Sequence, residues 1–194
     1  MWALLFSIIS GYLIGSISFG IIAGKVLRGI DIRNYGSGNT GGTNVLRVLG
    51  KKPAAVVLAG DVLKGAASVA AGFYIGDISC AVLGGAAAIA GHTYPLYFGF
   101  RGGKGAATGF GVILALVPDA TVIALVIFVL TIMFTRYVSL GSILGAASVP
   151  VSVFLLDKPL SILVFSICAA SFVIYRHRSN IVRLYKGQEN KLRW

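Results

Sequence analysis

Arg101-Gly-Gly-Lys-Gly-Ala-Ala-Thr-Gly-Phe-Gly-Val-Ile-Leu-Ala-Leu-Val-Pro-Asp119 is the stretch on which the fold turns. A basic, glycine-rich segment runs directly into an apolar run over 106–117. That run is shorter than the roughly 20 residues a spanning helix needs. Pro118-Asp119 interrupts it, and a second apolar run occupies 120–134. Read as one broken helix, the two runs would put Arg176, Arg178, Arg183, Lys186, Lys191 and Arg193 across the membrane from Lys25, Arg28, Arg33, Arg47, Lys51 and Lys52. Read as two helices, they return Arg136 and the basic tail to the face that holds the earlier charges. Lys and Arg gather on the cytoplasmic side of membrane proteins, which favours two helices.

The rest of the chain fits that choice. Apolar runs over 2–23, 53–75, 78–98, 106–117, 120–134, 139–156 and 160–175 give seven spans. The expected fold is an all-α integral membrane protein. It is a compact bundle of seven transmembrane helices with glycine-rich cytoplasmic loops, N-terminus outside and C-terminus inside, forming a single polytopic domain over 1–194. All of the 17 Lys and Arg except Lys64 and Lys158 then lie at the cytoplasmic face, and the outer turns carry Asp77, Asp119 and Asp157. Residues 99–105 would enter the bilayer partway to complete the short fourth span. Irregular backbone survives at that depth only where protein buries it or it lines a wet cavity.

Composition agrees. Of the 194 residues, 57% are hydrophobic and only 12% charged, against about 25% charged in soluble domains. The runs do not alternate, which excludes a barrel. The run 2–23 reads as a retained span rather than a removable leader, being long and ending in Lys25 and Arg28. Cys80 and Cys168 read as small buried hydrophobes rather than a disulfide. Glycines within spans, as in Gly84-Gly85 and Gly141-Ser-Ile-Leu-Gly145, let helices approach closely.

Glycines in the loops call for another explanation. Gly36-Ser-Gly-Asn-Thr-Gly-Gly-Thr-Asn44, followed by Arg47, mixes glycine, hydroxyl and amide side chains with no acid. Successive glycine N–H groups can form an anion-binding nest. Ser37, Thr40, Thr43, Asn39 and Asn44 add donors, and Arg47 offers a fork that fits two phosphate oxygens. The segment lacks the P-loop pattern; the plain alternative is a flexible linker with topogenic charge. In the second loop, Gly102, Gly103 and Gly105 surround Lys104 just before a helix start, where orphan N–H groups favour an anion. Ser139 and Ser142 share a face of the sixth span, as do His177 and Asn180 if the seventh helix continues into the tail. Asp61 and Lys64 are three apart inside a span, where an ion pair is costly and signals function or helix fixation. His92, near the inner end of its span, reads first as a structural hydrogen-bonding residue.

The omissions narrow the chemistry. Asp31 and Glu189 are the acids at the cytoplasmic face, so no acidic pair holds Mg²⁺. No Ser–His–Asp or Cys–His spacing supports an acyl-enzyme. No His-x-x-x-x-Asp pair is present: Tyr97 and Val182 stand where a carboxylate would follow His92 and His177. A site rich in phosphate donors and poor in bases suits an already activated donor whose leaving group is phosphate, with positioning and preorganised charge doing most of the catalysis.

At these residues the chain resembles the bacterial acyl-phosphate:glycerol-3-phosphate acyltransferases, the PlsY family. The resemblance spans essentially the whole length. It is carried jointly by 36–47, Asp61-x-x-Lys64-Gly65, 91–108, 136–142 and 177–191, with Gly42 standing where many members have Ala. It implies acyl transfer from acyl phosphate to the 1-hydroxyl of glycerol 3-phosphate, giving lysophosphatidic acid and phosphate in phospholipid synthesis, without acyl-CoA or acyl carrier protein. It further implies a multi-pass protein of the bacterial inner membrane, in contact with membrane lipids, whose site faces the cytoplasm. No cofactor, metal or nucleic acid is expected. The resemblance and the loop chemistry together give Ser37, Lys104, His177 and Asn180 as catalytic. They give Asn39, Gly41, Gly42, Thr43, Asn44, Arg47, Gly102, Gly103 and Ser142 as substrate-binding. The proton of the attacking hydroxyl would go to His177 or to the donor's own phosphate. These segments are expected to converge on one electropositive pocket with hydrocarbon beside it. An organophosphate transporter or channel is the competing reading. It predicts inverted repeats and polar residues along a pathway, and the sequence has no visible repeat.

Overall fold

The first apolar run is broken by Ser16-Ile-Ser18. The Ser16 hydroxyl folds back on the Tyr12 carbonyl at 2.8 Å, and Ser18 turns extended, with φ −97°. The result is two helices, α1 (Trp2–Gly15) and α2 (Phe19–Arg28), which together make one run long enough to cross a membrane, as expected of the span 2–23. This is a computed structural model, which describes residues 1–192; Arg193, counted above with the basic tail, lies outside the described residues. Among the described residues the regular structure is entirely helical, and it divides into two units, 1–116 and the chain from Val117 onward.

The first unit continues with α3 (Gly42–Leu49), α4 (Lys51–Ile75), α5 (Ile78–Thr93) and α6 (Ala106–Leu116), plus 3₁₀ turns at Ile32–Asn34 and Leu96–Phe98. Gly29, at φ +65°, stops α2 with its N–H on the Lys25 carbonyl. Asp77 caps α5 by accepting from the Ser79 and Cys80 N–H groups. Small residues let α1 lie on α5: a Cβ on Gly11 would strike the Gly84 carbonyl. Beneath the first loop, Ile21, Ile32, Val45 and Val57 are buried together with Ala54. Full burial of each such branched chain contributes about 1.5–3 kcal/mol, and together they tie α2, α3 and the first 3₁₀ turn to α4.

The second unit holds α7 (Pro118–Thr135), α8 (Val138–Leu155), α9 (Leu160–Arg176) and α10 (Arg178–Tyr185). Extended Val117 separates α6 from α7, and Pro118 opens α7 at a position where its missing N–H costs nothing. The break between the two apolar runs of 106–134 thus falls at Val117. Gly141 of α8 sits against Phe128 of α7, and Lys158 pairs with Asp119. Cys80 is buried as expected, but Cys168 is on the exposed face of α9.

Among the described residues, four helical runs can cross a membrane by length and composition: Trp2–Arg28, Lys51–Ile75, Pro118–Thr135 and Val138–Leu155. A fifth is reached by joining α9 to α10 across a 57° bend. α5, of 16 residues, and α6, of 11, fall short. At 1.5 Å per residue they measure about 24 and 16 Å, against a hydrocarbon core of roughly 30 Å. The expected third span, 78–98, loses its end because Tyr94 and Pro95 leave helical geometry at the second loop.

Candidate functional site

The first loop is built around one amide. Asn44 is 1% exposed, and its Oδ1 accepts the Ser37 N–H at 2.8 Å. Its Nδ2 donates to the carbonyls of Asn39 at 2.8 Å, Tyr35 at 3.0 Å and Ile32 at 3.3 Å. Asn39 Oδ1 accepts the Gly41 N–H at 2.8 Å, an Asx turn that starts α3. Gly41, Gly42, Thr43 and Asn44 are thus the entry to a short helix rather than a free loop. Ser37 and Arg47 are exposed beside it. The Asn44 side chain is spent on shaping the loop.

The second loop is pinned to the first through Arg33. Its guanidinium grips Asp31 with two parallel hydrogen bonds, Nη2 to Oδ2 at 2.6 Å and Nε to Oδ1 at 3.0 Å. Nη1 reaches the carbonyls of Phe98 at 2.7 Å and Arg101 at 3.2 Å. The side-chain hydrogen bond from Arg33 holds the Asp31 carboxyl below its ordinary range. From the other side, α5 receives the loop: the Gly102 N–H donates to the Thr93 carbonyl and the Gly103 N–H to the His92 carbonyl, each at 3.1 Å. A Cβ on Gly102 would collide with the His92 carbonyl, so glycine is needed here for close approach. Lys104 follows, half-buried, and Gly105, at φ +84°, turns the chain into α6.

In the second unit His177 ends α9, and the chain bends there rather than continuing straight. The ring Nδ1 lies 2.8 Å from the Val173 carbonyl. A carbonyl only accepts, so Nδ1 carries a hydrogen. Asn180, in the first turn of α10, donates from Nδ2 to Glu189 Oε1 at 2.7 Å. Ser139 Oγ donates to the same oxygen at 2.8 Å, and Arg183 Nε to Oε2 at 2.7 Å. Leu192 N–H closes the tail onto the Arg136 carbonyl at 2.7 Å. Ser142 donates to Val138 within its own helix at 3.0 Å, so of the two serines it is Ser139 that reaches the tail.

Burial opposes ionisation of Glu189, but hydrogen bonds from Asn180, Ser139 and Arg183 outweigh it and hold the carboxyl below its ordinary 4.5. The lowered folded value means that Glu189 stabilises the tail above its unfolded pKa. That stability is lost as pH falls through the folded value. Thermal denaturation of the detergent-solubilised protein should therefore be flat from pH 7 to 5 on this account and drop below pH 4.5. Glu189→Gln should lower the midpoint already at pH 7, by about 2–4 °C per kcal/mol lost, and flatten the acid limb. An unchanged midpoint at pH 7 would contradict the arrangement.

The structure thus brings Ser37, Asn39, Gly41, Gly42, Thr43 and Asn44 together around the start of α3, with Arg47 on that helix. It holds Gly102 and Gly103 against α5, with half-buried Lys104 next in the chain, and gathers His177 and Asn180 at the α9–α10 bend. Sequence reasoning missed Arg33 and Ser139 as organisers. It counted Glu189 only as a scarce acid, and that scarcity was the available signal. Among the described residues no cluster of three or more His, Cys, Asp or Glu side chains could hold a metal ion.

A helical, apolar chain with helices long enough to cross a bilayer defines a membrane protein. The sequence pattern of the glycerol-3-phosphate acyltransferase family matches residues 5–187. The glycerol-3-phosphate acyltransferase of Desulforamulus reducens is 49% identical, over 95% of this chain and 93% of that one. That of Halalkalibacterium halodurans is 47% identical, over 95% and 93%. The crystal structure of PlsY (YgiH), an integral membrane glycerol 3-phosphate acyltransferase, in its glycerol 3-phosphate form, superposes with a TM-score of 0.93 at 41% identity, covering 98% of this chain and 96% of that one. Its lysophosphatidic acid form gives 0.90 at 40% identity, covering 98% and 95%. This chain belongs to the glycerol-3-phosphate acyltransferase family, and it is an all-helical integral membrane protein.

Proposed function

We propose that the protein acylates the 1-hydroxyl of glycerol 3-phosphate from acyl phosphate, releasing lysophosphatidic acid and inorganic phosphate. What carries this reading is the likeness, over nearly the whole length, to an enzyme solved with glycerol 3-phosphate and with lysophosphatidic acid. The hydroxyl oxygen attacks the acyl carbonyl carbon, the bond from that carbon to the bridging oxygen breaks, and the hydroxyl proton ends on the departing phosphate. Phosphate leaves readily once its charge is met, so the chain's task is to hold two anions in line. The start of α3 from Gly41 to Asn44, with Ser37 and Asn39, cradles the acyl phosphate. Arg47 and Lys104 supply the positive charge, and Gly102 and Gly103 bring Lys104 into place. His177, Asn180 and Ser142 are the polar side chains that the second unit offers to substrate. Membrane lipid bounds the acyl chain.

The finer topology is part of the same proposal: one polytopic domain with seven spans in the bacterial inner membrane, N-terminus out, C-terminus in, loops toward the cytoplasm. The distribution of Lys and Arg supports it. Cysteine placed at Asp157 should react with an impermeant thiol reagent in intact cells, and cysteine at Arg101 only after permeabilisation. The reverse pattern would refute the orientation.

Donor choice tests the reaction. The purified protein should form lysophosphatidic acid from labelled glycerol 3-phosphate with acyl phosphate, and none with acyl-CoA or acyl carrier protein. Uptake of glycerol 3-phosphate into vesicles without product would favour a transporter instead.

A further inference from the structure

Three polar side chains lie buried together in the first unit. Lys64 Nζ stands 2.7 Å from Asp61 Oδ1, and both side chains are 2% exposed. The same ammonium donates at 2.7 Å to the carbonyl of Ile17, at the break between α1 and α2. It also faces the Phe19 ring at 5.8 Å from the centroid. His92 Nδ1 approaches Asp61 Oδ1 at 3.4 Å. On the other side of that imidazole is Gly103: a Cβ there would land on His92 Nε2.

Packing alone does not explain this cluster, because a well-packed apolar set in place of a buried ion pair is often neutral or stabilising. Its reach is more telling. Lys64 fixes the break that launches α2, and α2 meets the first loop directly, since a Cβ on Gly20 would strike the Thr40 carbonyl. His92 touches the second loop through both its ring and its carbonyl. Asp61 joins the two. We propose that Asp61, Lys64 and His92 are positioning residues, a buried polar hub that sets the two phosphate loops in register with one another. The proposal rests on the reading of those loops as the substrate-phosphate site. The short Lys64–Asp61 ion pair and the Lys64–Ile17 hydrogen bond fix distances where apolar surfaces would slide. A displacement of about 1 Å at a reacting centre costs up to about 100-fold in rate.

The test separates stability from register. Asp61→Asn combined with Lys64→Met removes both charges at once and leaves neither buried alone. This pair should keep a thermal midpoint close to the wild type yet lose about 30- to 100-fold in kcat/KM for acyl phosphate, mostly in kcat. His92→Phe keeps the ring volume against Gly103 but loses Nδ1, and should lose about tenfold. His92→Asn, whose amide can still donate to Asp61, should retain more activity than His92→Phe. A folded pair variant with kcat/KM within about twofold of the wild type would overturn the hub. Should the pair variant fail to fold, the histidine variants decide: His92→Phe as active as His92→Asn overturns it. Wild-type protein that makes no product from acyl phosphate and glycerol 3-phosphate sinks the phosphate-loop reading and the hub with it. An active wild type beside an equally active pair variant sinks the hub alone.

Discussion

Asn44→Ala is expected to destabilise the protein by about 3 kcal/mol and to lower kcat/KM for acyl phosphate by about 1000-fold. Its amide holds four backbone partners: the Ser37 N–H and the carbonyls of Ile32, Tyr35 and Asn39. Each such bond contributes about 0.5–1.5 kcal/mol, and an orphaned buried group costs about 1–3 kcal/mol. The carbonyls can regain some of this from water entering the cavity, so the sum stays below the maximum. The activity loss is separate in origin. Without the amide, residues 35–39 are no longer drawn onto the start of α3, and Ser37 and Asn39 leave their places beside its N–H groups. Asn44→Asp should not rescue, since a carboxylate facing three carbonyls repels where the amide donated. Denaturation midpoints and steady-state kinetics of the two variants check this, and a wild-type midpoint for Asn44→Ala would contradict it.

Lys104→Met should leave the thermal midpoint within a few degrees of the wild type and reduce kcat by about 100- to 1000-fold, the usual effect of removing a charge aimed at a transition state. Lys104 is half-buried between buried Gly103 and Gly105, so a methionine of similar length fits without a cavity. The ammonium is a compact point charge, whereas arginine presents a broad planar fork, and Lys104→Arg should therefore recover only part of the loss. Near-normal kcat in Lys104→Met would remove Lys104 from the catalytic group.

Much of this architecture is legible in the sequence because it is written in long patterns. Apolar run length and sparse charge reveal a helical membrane protein, and Pro118 marks the boundary between α6 and α7. The glycine-rich loops are visible because a membrane chain has no packing use for glycine, asparagine and hydroxyls clustered outside its spans. What stays hidden depends on contacts between distant residues. Ser16 and Ser18 break the first run within an apolar context, where Lys64, 47 positions further on, takes up the Ile17 carbonyl. Arg33 looks like one more topogenic charge until the fold brings the Phe98 carbonyl to it, 65 positions away. Residues 42–49 form a helix although they begin with glycine, because Val45 is buried beneath the loop and Asn39 caps its approach. Glu189 gathers Ser139 across 50 positions, a pairing no local spacing announces.

The central claim is that an acyl group moves and phosphate departs with the oxygen that joined them. Acyl phosphate labelled with ¹⁸O at the bridging position, given to the purified protein with glycerol 3-phosphate, tests this by ³¹P NMR and mass spectrometry of the products. One inorganic phosphate should appear per lysophosphatidic acid, with all of the label in the phosphate. Label left in a free fatty acid, with the phosphoryl group on the acceptor, would contradict it; so would phosphate released without any lysophosphatidic acid.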